Sequence, residues 1–231
     1  MVSQRRSTHK IVEEHITKWN YEKSGVGTKK IAPAPVVMIS REAGSGGRIV
    51  AERVAAKLGF DLFHQEVVHE MAKDADISVR FMETLDERGL NMLDNWIAAL
   101  VDERYLWPDQ YMQHLMKVIG TIGKHGKSVI VGRGANFILP LKTRISVRII
   151  APFDLRRRRV AKEFNLSETE AERRITLTES RRRSFTRRYF NASISDIFHY
   201  DMVINTGNLE LDDAVAAISA AVQQRMKSDT P

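Results

Sequence analysis

The segment Val36–Val50 reads VVMISREAGSGGRIV and joins an apolar run to a glycine turn and the start of a helical pattern. Successive backbone N–H groups in such a turn converge with the N-terminus of the following helix on a single anion. The arrangement therefore predicts a phosphate-binding loop between a strand and a helix. The alternative is an ordinary strand-to-helix turn that binds nothing.

The glycine turn departs from the common phosphate-loop pattern GxxxxGK[ST] at most of its defining positions. When Gly46 is aligned with the second glycine, Arg41 stands at the first one. Gly47 then stands at the lysine and Arg48 at the hydroxyl residue. A guanidinium at Arg48 still offers a cation, and it can fork onto two phosphate oxygens where a lysine acts as a point charge. The loop also follows a strand and opens a helix, which is the context that a phosphate loop requires.

Five short apolar runs predict the strands of the core. They are PVVMIS at 35–40, FDLF at 60–63, SVIVG at 128–132, ISVRII at 145–150 and DMVIN at 201–205. Most of them are continuous rather than alternating, which is typical of parallel strands covered by helices on both faces. Helical patterns lie between the strands, at 48–58, 65–72, 78–124, 154–164, 167–190 and 211–226. This alternation predicts an open three-layer α/β fold.

The sequence before the glycine turn predicts a helix and a linker. Residues 8–23 carry an apolar face at helical spacing, formed by Ile11, Val12, His15, Ile16 and Trp19. The stretch SGVGTKKIAPAP that follows, which ends at Pro35, combines glycine and proline and predicts a linker. The chain therefore divides into an N-terminal amphipathic helix and linker at 1–34 and one main domain at 35–231.

The composition excludes some kinds of site and favours one kind of partner. The chain has no cysteine, which excludes disulfides and thiolate metal sites, and its seven histidines show no metal-ligand spacing. The start MVSQRRSTHKIVEEH lacks the apolar stretch of a signal peptide, and no segment approaches the roughly 18 apolar residues of a membrane span. We expect a cytoplasmic protein with no membrane partner. The formal net charge of +7 favours anionic partners.

Arginine is concentrated in the segment 156–188. The motif SETE at 167–170 predicts a capping box, so a new helix begins within this segment and two helices carry the arginines. Apolar residues at packing positions favour a mobile helical lid at about 154–190 over a disordered basic tail. We interpret most of the arginines at 156–159 and 173–174 as solvated or as paired with neighbouring glutamates.

The stretches ISREAGSGGRIVAERVAAKLGFDLF, VIVGRGANFIL, RRRSFTRRYF and YDMVINTGNLELDDAVAAI together resemble the cytidylate kinase-like family, a branch of the P-loop nucleoside monophosphate kinases. The resemblance runs from about Pro35 to the C-terminus. It implies a three-layer P-loop NTPase fold with a five-stranded parallel sheet flanked by helices, a helical lid and an N-terminal helical extension. It also implies transfer of the γ-phosphoryl of ATP to a nucleoside monophosphate such as CMP or dCMP, with ATP and Mg²⁺ as cofactors.

The resemblance assigns site residues motif by motif. The phosphate loop and its basic position match Gly44, Ser45, Gly46, Gly47 and Arg48. Arg133 matches the arginine that grips the acceptor monophosphate, while Gly134 stands where the family has an aspartate. His64 stands where relatives often carry aspartate near the acceptor site. We add Arg41, which directly follows the first apolar run, to the expected substrate-binding residues.

The lid contributes the remaining catalytic residues that the resemblance implies. Arg182, Arg187 and Arg188 fall in the region from which such kinases send arginines onto the transferring phosphoryl, where one arginine is worth about 10³ to 10⁵ in rate. Lid closure excludes water, because an open site would spend ATP on hydrolysis. Mg²⁺ needs oxygen ligands, and the loop leaves Ser45, Ser40 or an unidentified acidic residue for this role.

The residues leave two function classes open. One is an active nucleotide kinase, for which the lid arginines and Arg133 are distinctive. The other is a catalytically altered nucleotide-binding or regulatory module, which the absence of the loop lysine, the loop hydroxyl and the acceptor aspartate favours. A variant of this module uses the basic helices on nucleic acid, but no helix-turn-helix or stacking platform supplies specificity, so nucleic acid is not the expected partner. The oligomeric state stays open.

Overall fold

The computed structural model describes residues 8–24, 34–103 and 108–228, so most of the predicted linker lies outside the described residues. The strands are β1 Val36–Arg41, β2 Asp61–Phe63, β3 Ser128–Val131, β4 Arg144–Ile150 and β5 Met202–Asn205. The helices are α1 Thr8–Lys23, α2 Gly47–Leu58, α3 Gln65–Lys73, α4 Ala75–Met82, α5 Glu87–Glu103, α6 Gln110–His125, α7 Ala135–Ile138, α8 Phe153–Phe164, α9 Glu168–Phe190 and α10 Leu211–Ser228. Short 3₁₀ turns lie at Leu141–Thr143 and Ile197–His199.

The five strands form one parallel sheet in the order β2-β3-β1-β4-β5. β1 lies in the centre and pairs with β3 on one side and β4 on the other. Its residues from Val36 to Ile39 are at most 2 % exposed, because both faces of the sheet are covered, and this explains the continuous apolar run. The expectation of a three-layer α/β fold with five parallel strands is confirmed. The carboxyl ends of the strands form the edge at which open α/β sheets bind ligands.

Helices cover the two faces of the sheet with separate cores. Side chains alternate along β1, so Val37 and Ile39 face α2 and α10, whereas Val36 and Met38 face α3 and α6. The two cores hold β1 rigidly between them. The glycine turn that follows β1 is therefore attached to the central strand of the sheet.

The N-terminal helix α1 packs into the same core as α3 and α6. Its buried residues are Val12, Ile16 and Trp19, which confirms the predicted amphipathic helix. The Trp19 ring stacks on His125 with 3.8 Å between the ring centroids. Lys23 Nζ donates to two backbone carbonyl oxygens just after α4, each at 2.7 Å. The division of the chain at residue 34 stays a prediction.

The arginine-rich segment folds as two helices, α8 and α9, as predicted. Asn165 ends α8 in the left-handed conformation, with φ of 52°. Ser167 then accepts a hydrogen bond from the Glu170 N–H, and the Glu170 carboxylate accepts from the Ser167 N–H at 2.9 Å. This is the capping box that the sequence predicts. Within the described part of the chain, no helix is both long and apolar enough to cross a membrane.

Candidate active site

The glycine turn forms a backbone cradle at the amino end of α2. Gly44 and Gly46 have φ of 81° and 80°, which side chains disfavour, and a Cβ at Gly44 would lie 2.7 Å from the carbonyl oxygen of Arg156. Ser45 is fully buried, and its Oγ donates to the Glu42 carbonyl oxygen at 3.0 Å. Gly46 caps α2 without a side-chain hydrogen bond. The first N–H groups of α2 therefore have no intrahelical partner and are available to an anion.

The loop is held in place by a buried arginine of α8. Arg156 donates to the carbonyl oxygens of Ala151 at 2.9 Å and Ala43 at 3.2 Å. Its guanidinium also forms ion pairs with Glu42 at 3.4 Å and Glu179 at 2.6 Å. Arg156 is an exception among these arginines, because it is buried and its carboxylate partners are Glu42 and Glu179 rather than the neighbouring glutamates. Arg156 thus connects the phosphate loop to α9.

Arg48 lies in the first turn of α2, with its side chain about half exposed. Its Nε forms an ion pair with Glu52 Oε1 at 3.2 Å, and the same oxygen lies 3.4 Å from His64 Nε2. Burial, followed by the positive charge of Arg48, lowers the pKa of His64. His64 is therefore neutral near pH 7. The structure brings these two predicted site residues together beside the loop.

A cavity of about 330 Å³ lies between the carboxyl ends of β1 and β3 and the helix α9. This volume suits a small-molecule ligand. Its lining combines cationic with aromatic side chains, among them Arg41, Arg133, Arg181, Arg182, Phe137 and Phe185. No Asp or Glu is among the described residues that line it. We term this space the acceptor cavity.

Arg41 extends from the end of β1 into the acceptor cavity. Its Nη2 donates to the amide oxygen Oε1 of Gln65 at 2.8 Å. Gly132, which has φ of 81°, leaves room for this side chain, since a Cβ there would overlap the Arg41 guanidinium. Removal from water, followed by the nearby charge of Arg182, lowers the pKa of Arg41 to about 9. Arg41 stays charged at neutral pH, its hydrogen-bond partner is a neutral amide, and the Glu66 carboxylate acts on it without forming an ion pair.

Arg133 and Arg182 bring two further guanidinium groups to the cavity. Arg133 adopts φ of 56°, and its Nε donates to the backbone oxygen of Gln65 at 3.4 Å. Arg182 Nη1 donates to the backbone oxygen of Arg41 at 2.9 Å, and burial lowers the pKa of Arg182. Among the described residues, no carboxylate forms an ion pair with Arg41, Arg133 or Arg182. Like charges held this close in a poorly solvated cavity favour a bound anion.

The other two predicted lid arginines lie outside the cavity. Arg187 and Arg188 are exposed, and Arg188 Nη2 lies 3.6 Å from a carboxylate oxygen of Asp109. Helical periodicity explains the position of Arg187, whereas Arg188 follows Arg181 by two turns and lies beyond the α9 residues that line the cavity. Those lining residues are Thr178, Arg181, Arg182, Phe185 and Thr186. The same periodicity could have separated Arg182 from Arg187 in the sequence.

The structure explains why position 134 is a glycine. Gly134 adopts φ of 65°, and a Cβ there would overlap the ring of Phe190 at the end of α9. That ring stacks on Phe137, with 5.0 Å between the centroids. An aspartate at this position would displace Phe190, so the acceptor cavity is built without the carboxylate that the family resemblance implies there.

The oxygen atoms expected to hold Mg²⁺ are engaged within the protein. Ser45 Oγ donates to the Glu42 carbonyl oxygen, and Ser40 Oγ accepts from Arg148 Nη1 at 2.8 Å. The Glu42 carboxylate accepts from the N–H of Ala151 at 3.1 Å. The residues that the structure describes contain no group of three or more His, Cys, Asp or Glu that could hold a metal ion. The described residues therefore do not form a prebuilt cage for Mg²⁺.

The comparisons with known proteins agree with this architecture. A model of the cytidylate kinase-like family matches residues 36–208, which include all of the strands and α9. The chain is 26 % identical over 188 residues to the cytidylate kinase of Pyrococcus horikoshii, covering 81 % of this chain and 88 % of that protein. It is 25 % identical over 187 residues to the cytidylate kinase of Sulfurisphaera tokodaii, covering 80 % and 93 % respectively.

A solved structure shows the same fold at lower sequence identity. It is an uncharacterized protein from Eubacterium ventriosum, with a TM-score of 0.61 and 23 % identity to this chain. The match covers 82 % of this chain and 98 % of that one. The whole fold is therefore shared between the two proteins.

Proposed function

Because the chain belongs to the cytidylate kinase-like family, we propose that it is a nucleoside monophosphate kinase that transfers the γ-phosphoryl of ATP to CMP or dCMP. The acceptor cavity carries this proposal. Arg41, Arg133 and Arg182 supply positive charge without carboxylate partners, and Phe137 and Phe185 supply flat apolar surface in the same space. A nucleoside monophosphate combines an anionic phosphate with a flat base, so it matches both parts of the lining.

The two halves of the site take different phosphates in this proposal. The backbone N–H groups of the loop Gly44–Gly47 and the α2 dipole bind the phosphates of ATP, beside Arg48. Arg41 and Arg133 bind the phosphate of the acceptor. Arg182, which contacts the backbone of Arg41, neutralises charge on the transferring phosphoryl. Mg²⁺ would accompany ATP and would neutralise negative charge on its phosphates.

The helix α9 is the lid of this site. It lines the acceptor cavity with Arg182 and Phe185, and its Glu179 forms an ion pair with Arg156, which donates to the loop carbonyl of Ala43. The lid and the phosphate loop are thus mechanically connected. Their contact excludes water from the space between the two bound phosphates, which favours transfer to the acceptor over hydrolysis.

A nucleotide-binding or regulatory module without turnover is the second candidate. The pairing of Arg48 with Glu52 favours it, because the cation that replaces the loop lysine is engaged with a carboxylate. Such a module binds the same ligands without forming a diphosphate. Binding of nucleic acid by the lid helices is less favoured, because Arg156 and Arg157 are paired with carboxylates.

The two candidates are separated by incubating the purified protein with MgATP and, in turn, CMP, dCMP, UMP and AMP. For a kinase we expect chromatography to show CDP or dCDP, and we expect Arg48→Ala and Arg133→Ala each to reduce it strongly while the protein stays folded. Arg158→Ala is the matched control, since Arg158 is an exposed arginine of α8, and it should behave as wild type. Bound ATP with no diphosphate from any acceptor would favour the module instead.

A further inference from the structure

The acceptor cavity contains a buried amide with no hydrogen-bond partner. Asn136 belongs to the short helix α7, lines the cavity and is only 8 % exposed. Its Nδ2 atom is fully buried and finds no hydrogen-bond acceptor. Native proteins pair nearly all buried polar groups, and an unpaired donor destabilises the fold. The side chain lines the cavity although Nδ2 itself is covered, and rotation of this amide, which has no Nδ2 hydrogen bond to lose, would present Nδ2 to a ligand atom that accepts a hydrogen bond.

The surroundings of Asn136 indicate which part of the ligand this is. The next residue, Phe137, also lines the cavity, and its ring stacks on Phe190. The cationic groups needed for a phosphate already come from Arg41 and Arg133. A planar amide offers one donor and one acceptor side by side, which is the complement of a nucleobase edge. The amide beside an aromatic ring thus suits the base of the acceptor rather than its phosphate.

The absence of a carboxylate from the described lining strengthens this assignment. The exocyclic amine of cytosine needs a hydrogen-bond acceptor, and neither Asp nor Glu is among the described residues of the cavity. Gly134 cannot carry such a group without displacing Phe190. Asn136 is a buried side chain of the lining that can both accept and donate in one plane.

We propose that Asn136 determines base specificity by pairing with the edge of cytosine. Its Nδ2 donates to ring atom N3, and its Oδ1 accepts from the exocyclic amine. The inference rests on the proposed function, because it assumes that the cavity binds the acceptor nucleotide. It adds a residue that reads the base, whereas the arginines bind the phosphate.

Two substitutions test this role in the full chain. Asn136→Leu keeps a similar volume and removes the unpaired donor, so the melting temperature without ligand should equal or exceed that of wild type. The rise in melting temperature with CMP should fall to that produced by ribose 5-phosphate, which has no base. The response to ribose 5-phosphate itself should not change.

Asn136→Asp exchanges the donor for an acceptor and tests the direction of the hydrogen bond. Uracil carries a proton on N3 and can donate to a carboxylate, whereas N3 of cytosine cannot. Isothermal titration with CMP and UMP should show the preference for CMP falling by about 10-fold or more. If the Asn136→Leu protein does not fold, the ratio of CMP to UMP affinity in Asn136→Asp tests the proposal by itself.

Ser219→Ala is the matched control. Ser219 is also buried with an unpartnered Oγ, but it lies on α10, which packs against the opposite face of the sheet. Its replacement should leave the responses to CMP, UMP and ribose 5-phosphate unchanged. A changed response would show that removing any buried polar atom alters binding, and it would overturn the assignment to Asn136.

Three other results would overturn the proposal. They are a folded Asn136→Leu protein that melts below wild type, an undiminished CMP response in that variant, and an unchanged CMP to UMP ratio in Asn136→Asp. None of these measurements depends on turnover. Wild-type protein that binds CMP but forms no CDP would contradict the proposed kinase and leave the role of Asn136 intact. Equal rises in melting temperature with CMP and with ribose 5-phosphate would overturn the role of Asn136 alone.

Discussion

Arg156 and Arg41 both contact the phosphate loop region from inside the protein, but their electrostatic surroundings are opposite. Arg156 forms ion pairs with Glu42 and Glu179, at 3.4 Å and 2.6 Å. Arg41 has the neutral amide oxygen of Gln65 as its partner, and the charge of Arg182 lies nearby. The first arginine stabilises the fold, and we propose that the second binds an anion. The chain has 36 lysines and arginines. Whether an arginine is paired with a carboxylate therefore distinguishes those that stabilise the fold from those proposed to bind a ligand.

The largest expected effect comes from removing the paired arginine. Arg156→Ala leaves Glu42 and Glu179 without their cation, so we expect a loss of about 3 to 5 kcal/mol in the free energy of unfolding. Urea denaturation measures it. Arg158→Ala, at an exposed position of the same helix, should stay within about 0.5 kcal/mol of wild type. A loss below about 1 kcal/mol for Arg156→Ala would contradict its role in stabilising the fold.

His125 adds to the comparison a basic side chain that burial keeps neutral. Burial lowers the pKa of His125 to about 4, against 6.5 for an exposed histidine. Above pH 6.5 the side chain is neutral in both states and its contribution to stability is complete. As the pH falls toward 4, only the unfolded chain takes up the proton, so the free energy of unfolding drops, by about 3 kcal/mol in total.

Urea denaturation at a series of pH values between 7 and 4 measures this dependence, with His125→Gln as the comparison. The variant lacks the titrating group, so its stability should fall less steeply over this range. Equal slopes for the variant and wild type would mean that other groups cause the acid sensitivity. Trp19, which stacks on His125, makes tryptophan fluorescence a suitable signal.

Removal of Arg41 should reduce activity and leave stability intact, whereas removal of Arg156 should reduce stability. Arg41→Met deletes a charge that forms no ion pair, so the free energy of unfolding should stay unchanged or rise. The value of kcat/KM for CMP should fall by about 100-fold, since a charged hydrogen bond to the phosphate is lost. Steady-state kinetics and urea denaturation of the same preparation test both parts. A variant that unfolds as readily as Arg156→Ala would remove the distinction between the two arginines.

The smallest effect is expected from removing Glu52, the exposed partner of Arg48. Glu52 is 45 % exposed, and exposed pairs of this kind contribute little. Glu52→Ala should change the free energy of unfolding by less than about 0.5 kcal/mol. It should not reduce kcat/KM, because it releases Arg48 for phosphate. A clear loss of activity would show that Glu52 positions Arg48 for catalysis and that the pair belongs to the site.

The site could be predicted from the sequence only where a motif of the resembled family or a local pattern identified the residue. Arg41, Arg133 and Arg182 were expected to bind substrate or the transferring phosphoryl, and they meet in one cavity. Arg187 shares the same motif but faces away, because a helix turns neighbouring residues to different sides, and Arg188 lies beyond the part of α9 that lines the cavity. Asn136 and Phe137 follow the glycine turn of GRGANF without any signal of their own. Their place in the cavity depends on how α7 packs against α9.

The amino-acid sequence by itself determined the strands, the helices, the glycine turn and the capping box at Ser167. Each of these depends on interactions between residues close together in the chain: hydrophobic periodicity, positive φ at glycine, and hydrogen bonds over one helical turn. The tertiary structure decided which arginines are neutralised and which are not. Arg156 meets Ala43 and Glu42, which precede it by 113 and 114 positions in the chain, and the energies of such contacts depend on burial and on distance in space rather than on separation along the chain.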